Sequence, residues 1–391
     1  MKNKITIAAF LLMLTVFTVM LLLPADKESV EKENRPMSTM PALSEKTVFS
    51  GELASGVENV IGDNIGFRSF FTKLSSLIEG SKGFVPKTGE IISANKDIGT
   101  GTTQKQTLLL VDNTIMEMFI QNDSQEEMYA QTVNGYARAF GSDIKLYSML
   151  IPTQLSFREP MYKNLQDDQQ EAINSIYEKL DRNITAVDAY SALEPHTDEY
   201  VYFRTDHHWT QLGAYYAYKA FMDAAGGEAV SKDDYEQNKI PGVLGYLYDK
   251  VNRAEIASQP DTIEWFDINK TPHIFVKMYD ETLTPYNGVM YDRSKASYDF
   301  FFGSDHPVTE MVNENNLGGK TIVVMKESYA NVFAPWLIES YHRVVLVDPR
   351  IYQGDFQTII DNFAPDELLI MNYVFTTNFP DYCILMDKLC K

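Results

Sequence analysis

Four consecutive residues, Asp206-His207-His208-Trp209, set a carboxylate, two imidazoles and an indole side by side. Histidine is the side chain whose charge changes near neutral pH, and a carboxylate beside it decides which ring nitrogen carries the proton. Residues two apart in an extended segment project to the same side. The spacing therefore predicts that Asp206 orients His208 through Nδ1 and leaves Nε2 free as a base, while His207 points the other way. Such a base can take the proton of a serine hydroxyl. Acyl transfer through that serine then needs N–H donors for the developing oxyanion.

Ser328 is the expected nucleophile. It follows the apolar run Thr321 to Met325 and opens a helical stretch in Lys326-Glu327-Ser328-Tyr329-Ala330-Asn331. A strand-helix turn can expose the hydroxyl, and the N–H groups of the new helix N-terminus can face an oxyanion. Ser304, in Gly303-Ser304-Asp305-His306, competes because it also follows an apolar run. Plainer readings stand beside these. Asp206 and His208 can cap a helix or satisfy a buried histidine. A metal site would need a further His, Cys or carboxylate cluster, and none completes one; no metal and no cofactor are expected.

The elements that must position these residues alternate. Thr107 to Val111 reads as a strand, and Ser124 with Glu127 as a capping box opening a helix to about Phe140. Ile144 to Ile151 is a strand, Gln169 to Leu180 a helix, Thr185 to Val187 a strand, and Gln211 to Ala225 a helix with Thr210 as N-cap. Strand Thr321 to Met325, helix Ala330 to Tyr341, strand Arg343 to Val347, helix Phe356 to Phe363 and strand Glu367 to Met371 follow. This alternation predicts a mostly parallel sheet covered by helices, with sites beyond the carboxyl ends of its strands. Residues 226–318 break the pattern and read as a long insertion, with strands such as His273 to Lys277.

Composition narrows the function class. The chain has 391 residues, 45% apolar and 23% charged, as an ordinary globular protein has. Its net charge of -20 without clustered Lys and Arg argues against nucleic-acid binding. Lys2 and Lys4 precede Ile5 to Leu23, nineteen residues that are apolar apart from three threonines. About 20 such residues span a bilayer. An uncleaved signal-anchor fits better than a cleaved signal peptide, for the apolar stretch is long and Leu23-Pro24-Ala25-Asp26 offers no convincing cleavage site. The flanking charges place the body outside the cytoplasm. The expectation is a single-pass cell-membrane protein, or a secreted one if the segment is cleaved. Residues 1–25 form the anchor, 26–85 a stalk and amphipathic helical linker, and 86–391 the main domain. Cys383 and Cys390 read equally as one disulfide or two buried thiols.

Phe203-Arg204-Thr205-Asp206-His207-His208-Trp209-Thr210, followed by Gly213-Ala214, resembles the signature of the DHHW protein family. That family is similar to alginate O-acetylation proteins with an SGNH-hydrolase-like domain. The resemblance also runs through Glu33-Asn34-Arg35-Pro36, Asp63 to Arg68, Lys326 to Asn331 and Val347-Asp348-Pro349-Arg350-Ile351-Tyr352. It implies an α/β fold, a three-layer α/β/α SGNH-hydrolase-like domain. It matches Ser328 to the nucleophile, His208 to the base and Asp206 to its orienting acid. Trp209 matches a structural position beside the dyad, and Arg350 and Tyr352 match positions near the site; with Tyr329 these are the expected substrate-binding residues.

The activity implied is O-acetyl transfer to an exopolysaccharide or cell-wall glycan, through an acetyl-serine. Acetyl-CoA is cytoplasmic, so a membrane-bound O-acyltransferase is the implied donor partner. Two other readings stay open. A carbohydrate acetylesterase would use the same three residues with water as acceptor. A catalytically silent glycan-binding or scaffold subunit of a polysaccharide export complex would use none of them.

Overall fold

Near-continuous runs of Val, Ile, Leu and Met, such as Thr321 to Lys326 and Glu367 to Tyr373, have no polar face to offer solvent and must be buried on both sides. The computed structural model describes residues 89–97, 103–270 and 272–390, with isolated positions before residue 89. Within them the chain falls into two units: 87–247 with 259–391, and 1–86 with 248–258. The second unit contributes the short helix Ala254–Ala257 to the described residues. The expected membrane span Ile5 to Leu23, and the stalk and linker over 26–85, lie outside the described residues apart from isolated positions. Among the described residues no helix is long and apolar enough to cross a membrane.

The strands of the larger unit are β1 (Glu90–Asp97), β2 (Thr103–Val111), β3 (Thr114–Glu117), β4 (Lys145–Ile151), β5 (Ile184–Val187), β6 (Gln237–Val243) and β7 (Asp261–Phe266). They continue with β8 (Ile274–Tyr279), β9 (Pro285–Asn287), β10 (Val308–Asn313), β11 (Thr321–Lys326), β12 (Arg343–Val347) and β13 (Glu367–Tyr373). Eight of these form one sheet in the order β5-β4-β13-β11-β12-β10-β8-β9. From β5 to β12 neighbours run parallel, as the strand-helix alternation predicts. From β12 to β9 they run antiparallel. The sheet is thus mixed. Its antiparallel half comes from residues 226–318, whose hairpin needs no crossover helix. The expected strand Thr107 to Val111 belongs instead to a separate three-stranded antiparallel sheet, β1-β2-β3.

The main helices are α1 (Asp123–Phe140), α2 (Gln169–Glu178), α3 (Gln211–Ala225), α4 (Ala334–Ser340), α5 (Phe356–Phe363) and α6 (Pro380–Leu389). Thr210 caps α3 as expected, accepting from the Gly213 N–H at 3.2 Å. The capping box of α1 is displaced: Asn122, not Ser124, is the N-cap. An asparagine in extended conformation wins because its carbonyl reaches the Gln125 N–H. The expected helix from Ala330 to Tyr341 splits into a 3-10 turn, Ser328–Asn331, and α4. Cys383 lies within α6 and Cys390 just past its end. Seven residues of helix separate them by about 10 Å, beyond disulfide reach, so both are free thiols, Cys383 buried and Cys390 half-buried.

Candidate active site

The carboxyl ends of β11 and β13 and the loop before α3 meet around His208. Residues 204–208 form a bend between the paired residues Tyr202 and Trp209. Asp261 shapes that bend. Its buried carboxylate accepts from the Arg204 N–H (2.9 Å), the Thr205 N–H (2.7 Å) and the Tyr200 hydroxyl (2.7 Å). Thr205 in turn receives the Gly245 N–H at 2.8 Å. A Cβ added at Gly245 would stand 2.4 Å from the Asp206 Cβ, so only glycine fits there.

Asp206 is buried and engaged on both oxygens. Oδ1 lies 2.6 Å from His208 Nδ1 and 3.1 Å from the His208 N–H, and Oδ2 accepts the Tyr246 N–H at 2.9 Å. Burial opposes its ionisation, but the His208 and His207 imidazoles and the Tyr246 N–H outweigh burial and hold the carboxyl well below its usual range. A carboxylate only accepts, so Nδ1 carries the proton and the Nε2 lone pair faces outward. Nε2 lies 2.7 Å from Ser328 Oγ.

Asp206 and His208 meet as the spacing predicts, but for a different reason. The segment is not extended; the aspartate folds back onto its own backbone two residues on, as Asx turns do. His207 consequently does not point away. Its ring centroid is 3.9 Å from that of His208, and its Nδ1 is 3.4 Å from Asp206 Oδ1. A cleft lined by Ile115, Glu117, Thr153 and Gln154 opens on Asp206 and His207. Asp206, His207 and His208 offer ligand atoms within 4.8 Å of one another. A cation there would have to break the short Asp206–His208 contact.

Ser328 is half-buried at the head of the 3-10 turn. Its hydroxyl has one proton for two acceptors, His208 Nε2 at 2.7 Å and Glu327 Oε2 at 3.3 Å, and the shorter contact is the stronger. Glu327 is buried, which raises its pKa, although the N–H groups of Tyr329 and Tyr373 (both 2.9 Å) pull the other way. Two of the N–H groups expected to face an oxyanion are engaged within the turn. The Tyr329 N–H is taken by the Glu327 carboxylate and the Ala330 N–H by the Glu327 carbonyl at 3.2 Å. Ser304 is exposed and donates to the Asp305 carbonyl at 3.4 Å; it has no histidine partner.

The four expected substrate-binding residues are placed as follows. Trp209 is fully buried and donates through Nε1 to the Tyr329 carbonyl at 2.8 Å, fastening the histidine segment to the serine turn. Tyr329 is equally buried, its ring 5.2 Å from that of His208 and its hydroxyl on the His207 carbonyl. Arg350 grips Asp348 (2.9 Å) and Asp305 (2.6 Å). Tyr352 is buried and donates to the Asp355 carbonyl at 3.1 Å. All four are engaged by other protein groups.

Sequence reasoning missed several residues. Tyr298 lies flat on His208, Gly245-Tyr246 secure Asp206, and Asp261 holds the preceding Arg204-Thr205; all come from the insertion. Lys326, buried, donates to Asp305 (2.6 Å) and Asn331 (3.0 Å), tying the strand end before Ser328 to a neighbouring loop. The pair Lys326-Glu327 closing an otherwise apolar strand was a readable signal of buried charge. Nothing in local pattern marked Tyr298.

The sequence profile of the family described as DHHW protein matches residues 85–347, more than half of the chain. The chain belongs to the DHHW family. A DHHW family protein from Eubacterium siraeum, solved by crystallography, is similar at 26% identity and a TM-score of 0.63, over 73% of this chain and 95% of that one. The structure of Bacillus cereus PatB1 with a sulfonyl adduct is similar at 19% identity and a TM-score of 0.60, over 70% and 96%. The O-acetyltransferase domain of Pseudomonas putida AlgJ gives 13% identity and a TM-score of 0.43, over 71% and 96%. No curated protein matches. The DHHW match spans the Asp206-His208 bend and Ser328, and ends at Val347, before Asp348 and Arg350.

Proposed function

We propose that this DHHW protein is an extracytoplasmic O-acetyltransferase acting on an exopolysaccharide or cell-wall glycan. Its large mixed sheet is read as the core of a three-layer SGNH-hydrolase-like domain. The observation that carries the reading is the relay itself: Asp206 Oδ1 at 2.6 Å from Nδ1, and Nε2 at 2.7 Å from Ser328 Oγ. Ser328 Oγ attacks the acetyl carbonyl carbon while His208 Nε2 takes the hydroxyl proton. Collapse of the tetrahedral adduct breaks the bond to the leaving group, which receives that proton, and leaves acetyl-Ser328. A sugar hydroxyl then attacks the ester, giving its proton to Nε2, and Ser328 recovers it on departure. Asp206 stays ionised throughout and steadies the imidazolium.

On this reading the segment Ile5 to Leu23 anchors the chain in the cell membrane. A membrane-bound O-acyltransferase delivers acetyl groups that cannot otherwise cross. PatB1, which shares the fold, carries a sulfonyl adduct, and sulfonylation needs an activated nucleophile; the same class of reagent is apt here. One observation favours a catalytically silent subunit instead: the turn's Tyr329 and Ala330 N–H groups are spent on Glu327.

The test uses full-length chain taken from the membrane fraction in detergent. Wild type should release nitrophenol from p-nitrophenyl acetate, faster when a glycan acceptor is present, and Ser328→Ala should not. Acceleration absent with turnover intact would favour the esterase. No turnover at all would leave the silent subunit. Recovery of the chain only from the soluble fraction would remove the anchor.

A further inference from the structure

Resting on that reading of Ser328, we infer that Tyr298 is the positioning residue that joins His208 to Ser328. Its ring is stacked on the imidazole, centroids 3.6 Å apart and planes 4° off parallel. Its hydroxyl donates to the Ser328 carbonyl at 2.8 Å. One side chain thus touches both partners of the proton transfer without giving or taking the proton itself.

The geometry explains why such a residue is needed. Hydrogen bonds at Nδ1 and Nε2 hold the imidazole at both nitrogens but leave it to rock about the Cβ–Cγ bond within the slack that hydrogen-bond angles allow. A parallel ring against one face removes that freedom, so the Nε2 lone pair stays aimed at Oγ. The tether to the Ser328 carbonyl places the backbone from which that hydroxyl projects. Tyr298 is itself held: it opens a 3-10 turn capped by Ser297, and the rings of Phe203 and Phe301 lie 6.3 Å and 5.9 Å away. Burial raises its pKa well above the usual tyrosine value, so the phenol stays a neutral donor. The insertion over 226–318 therefore supplies part of the site's alignment.

Sulfonylation of full-length protein by phenylmethylsulfonyl fluoride measures nucleophile activation directly, and p-nitrophenyl acetate separates kcat from KM. Tyr298→Phe keeps the stack and loses the tether; it should react about threefold to tenfold more slowly. Tyr298→Leu loses both and should fall about 100-fold in rate and in kcat, with KM unchanged and the melting transition retained. Tyr298→Leu reacting like wild type, or Tyr298→Phe falling as far as Tyr298→Leu, overturns the inference. If the leucine variant does not fold, the phenylalanine variant decides: a wild-type rate there overturns it. Wild type that resists the reagent fails at the earlier step, Ser328 itself, and the inference falls with it.

Discussion

At the residue scale the site depends on contacts too close to tolerate one added methyl. Gly245 abuts Asp206, and the Cβ of Gly245→Ala would lie 2.6 Å from Oδ2 as well as 2.4 Å from the Asp206 Cβ. The aspartate must move, and a displacement of about 1 Å in a catalytic group costs about 100-fold in rate. Gly245→Ala should therefore lower turnover of p-nitrophenyl acetate by about that factor while KM holds; turnover within about twofold of wild type would show that Asp206 need not sit where it does. The three residues of the relay were legible in the sequence because each has distinctive chemistry and a local marker. The roles of their supports were not. His207 departs from the place an extended backbone predicts, because Asp261 and the Asp206 side chain bend the segment. Tyr298 and Gly245 reach the site only through the fold, and no local rule connects position 298 with position 208.

Elements were legible where a single period governs them. Helices Gln211–Ala225 and Phe356–Phe363 and strand Arg343–Val347 have the predicted ends. The stretch after Ser328 was less legible, because a 3-10 turn and a short helix share one apolar pattern. The end of β11 carries the other consequence. Lys326 is buried against Asp305 and Asn331, with Asp348 at 3.5 Å, and Arg350 binds both aspartates. Lys326 and Arg350 overcome burial and hold the Asp305 carboxyl far below its usual range. Removing one partner of a buried network leaves charge uncompensated and costs about 3–5 kcal/mol. Lys326→Met should show that loss in urea unfolding; an unchanged midpoint and slope would mean the network adds nothing to stability.

At the scale of the whole molecule, the parallel half of the sheet holds Ser328 at a strand end, and the antiparallel half with its flanking insertion brings Tyr298, Gly245 and Asp261. The mixed character of the sheet was illegible, because antiparallel pairing of the insertion depends on partners far away in sequence. Acid should test how the halves cohere. Asp206 and Asp305 both have folded-state pKa values below their usual 3.8. Groups depressed on folding stabilise the native state above the unfolded value and lose that contribution as pH falls below it. Stability should hold above about pH 5 and decline steeply below about pH 4, read as a falling melting temperature; an unchanged one across that range would contradict the assigned ionisation. The central claim is that Ser328, activated by His208 and Asp206, takes up an acyl group. Peptide mass spectrometry of full-length protein quenched during turnover of p-nitrophenyl acetate measures it directly. The account predicts an acetyl group on Ser328 that is missing from His208→Ala, and an acetyl group found elsewhere, or equally in both proteins, would contradict it.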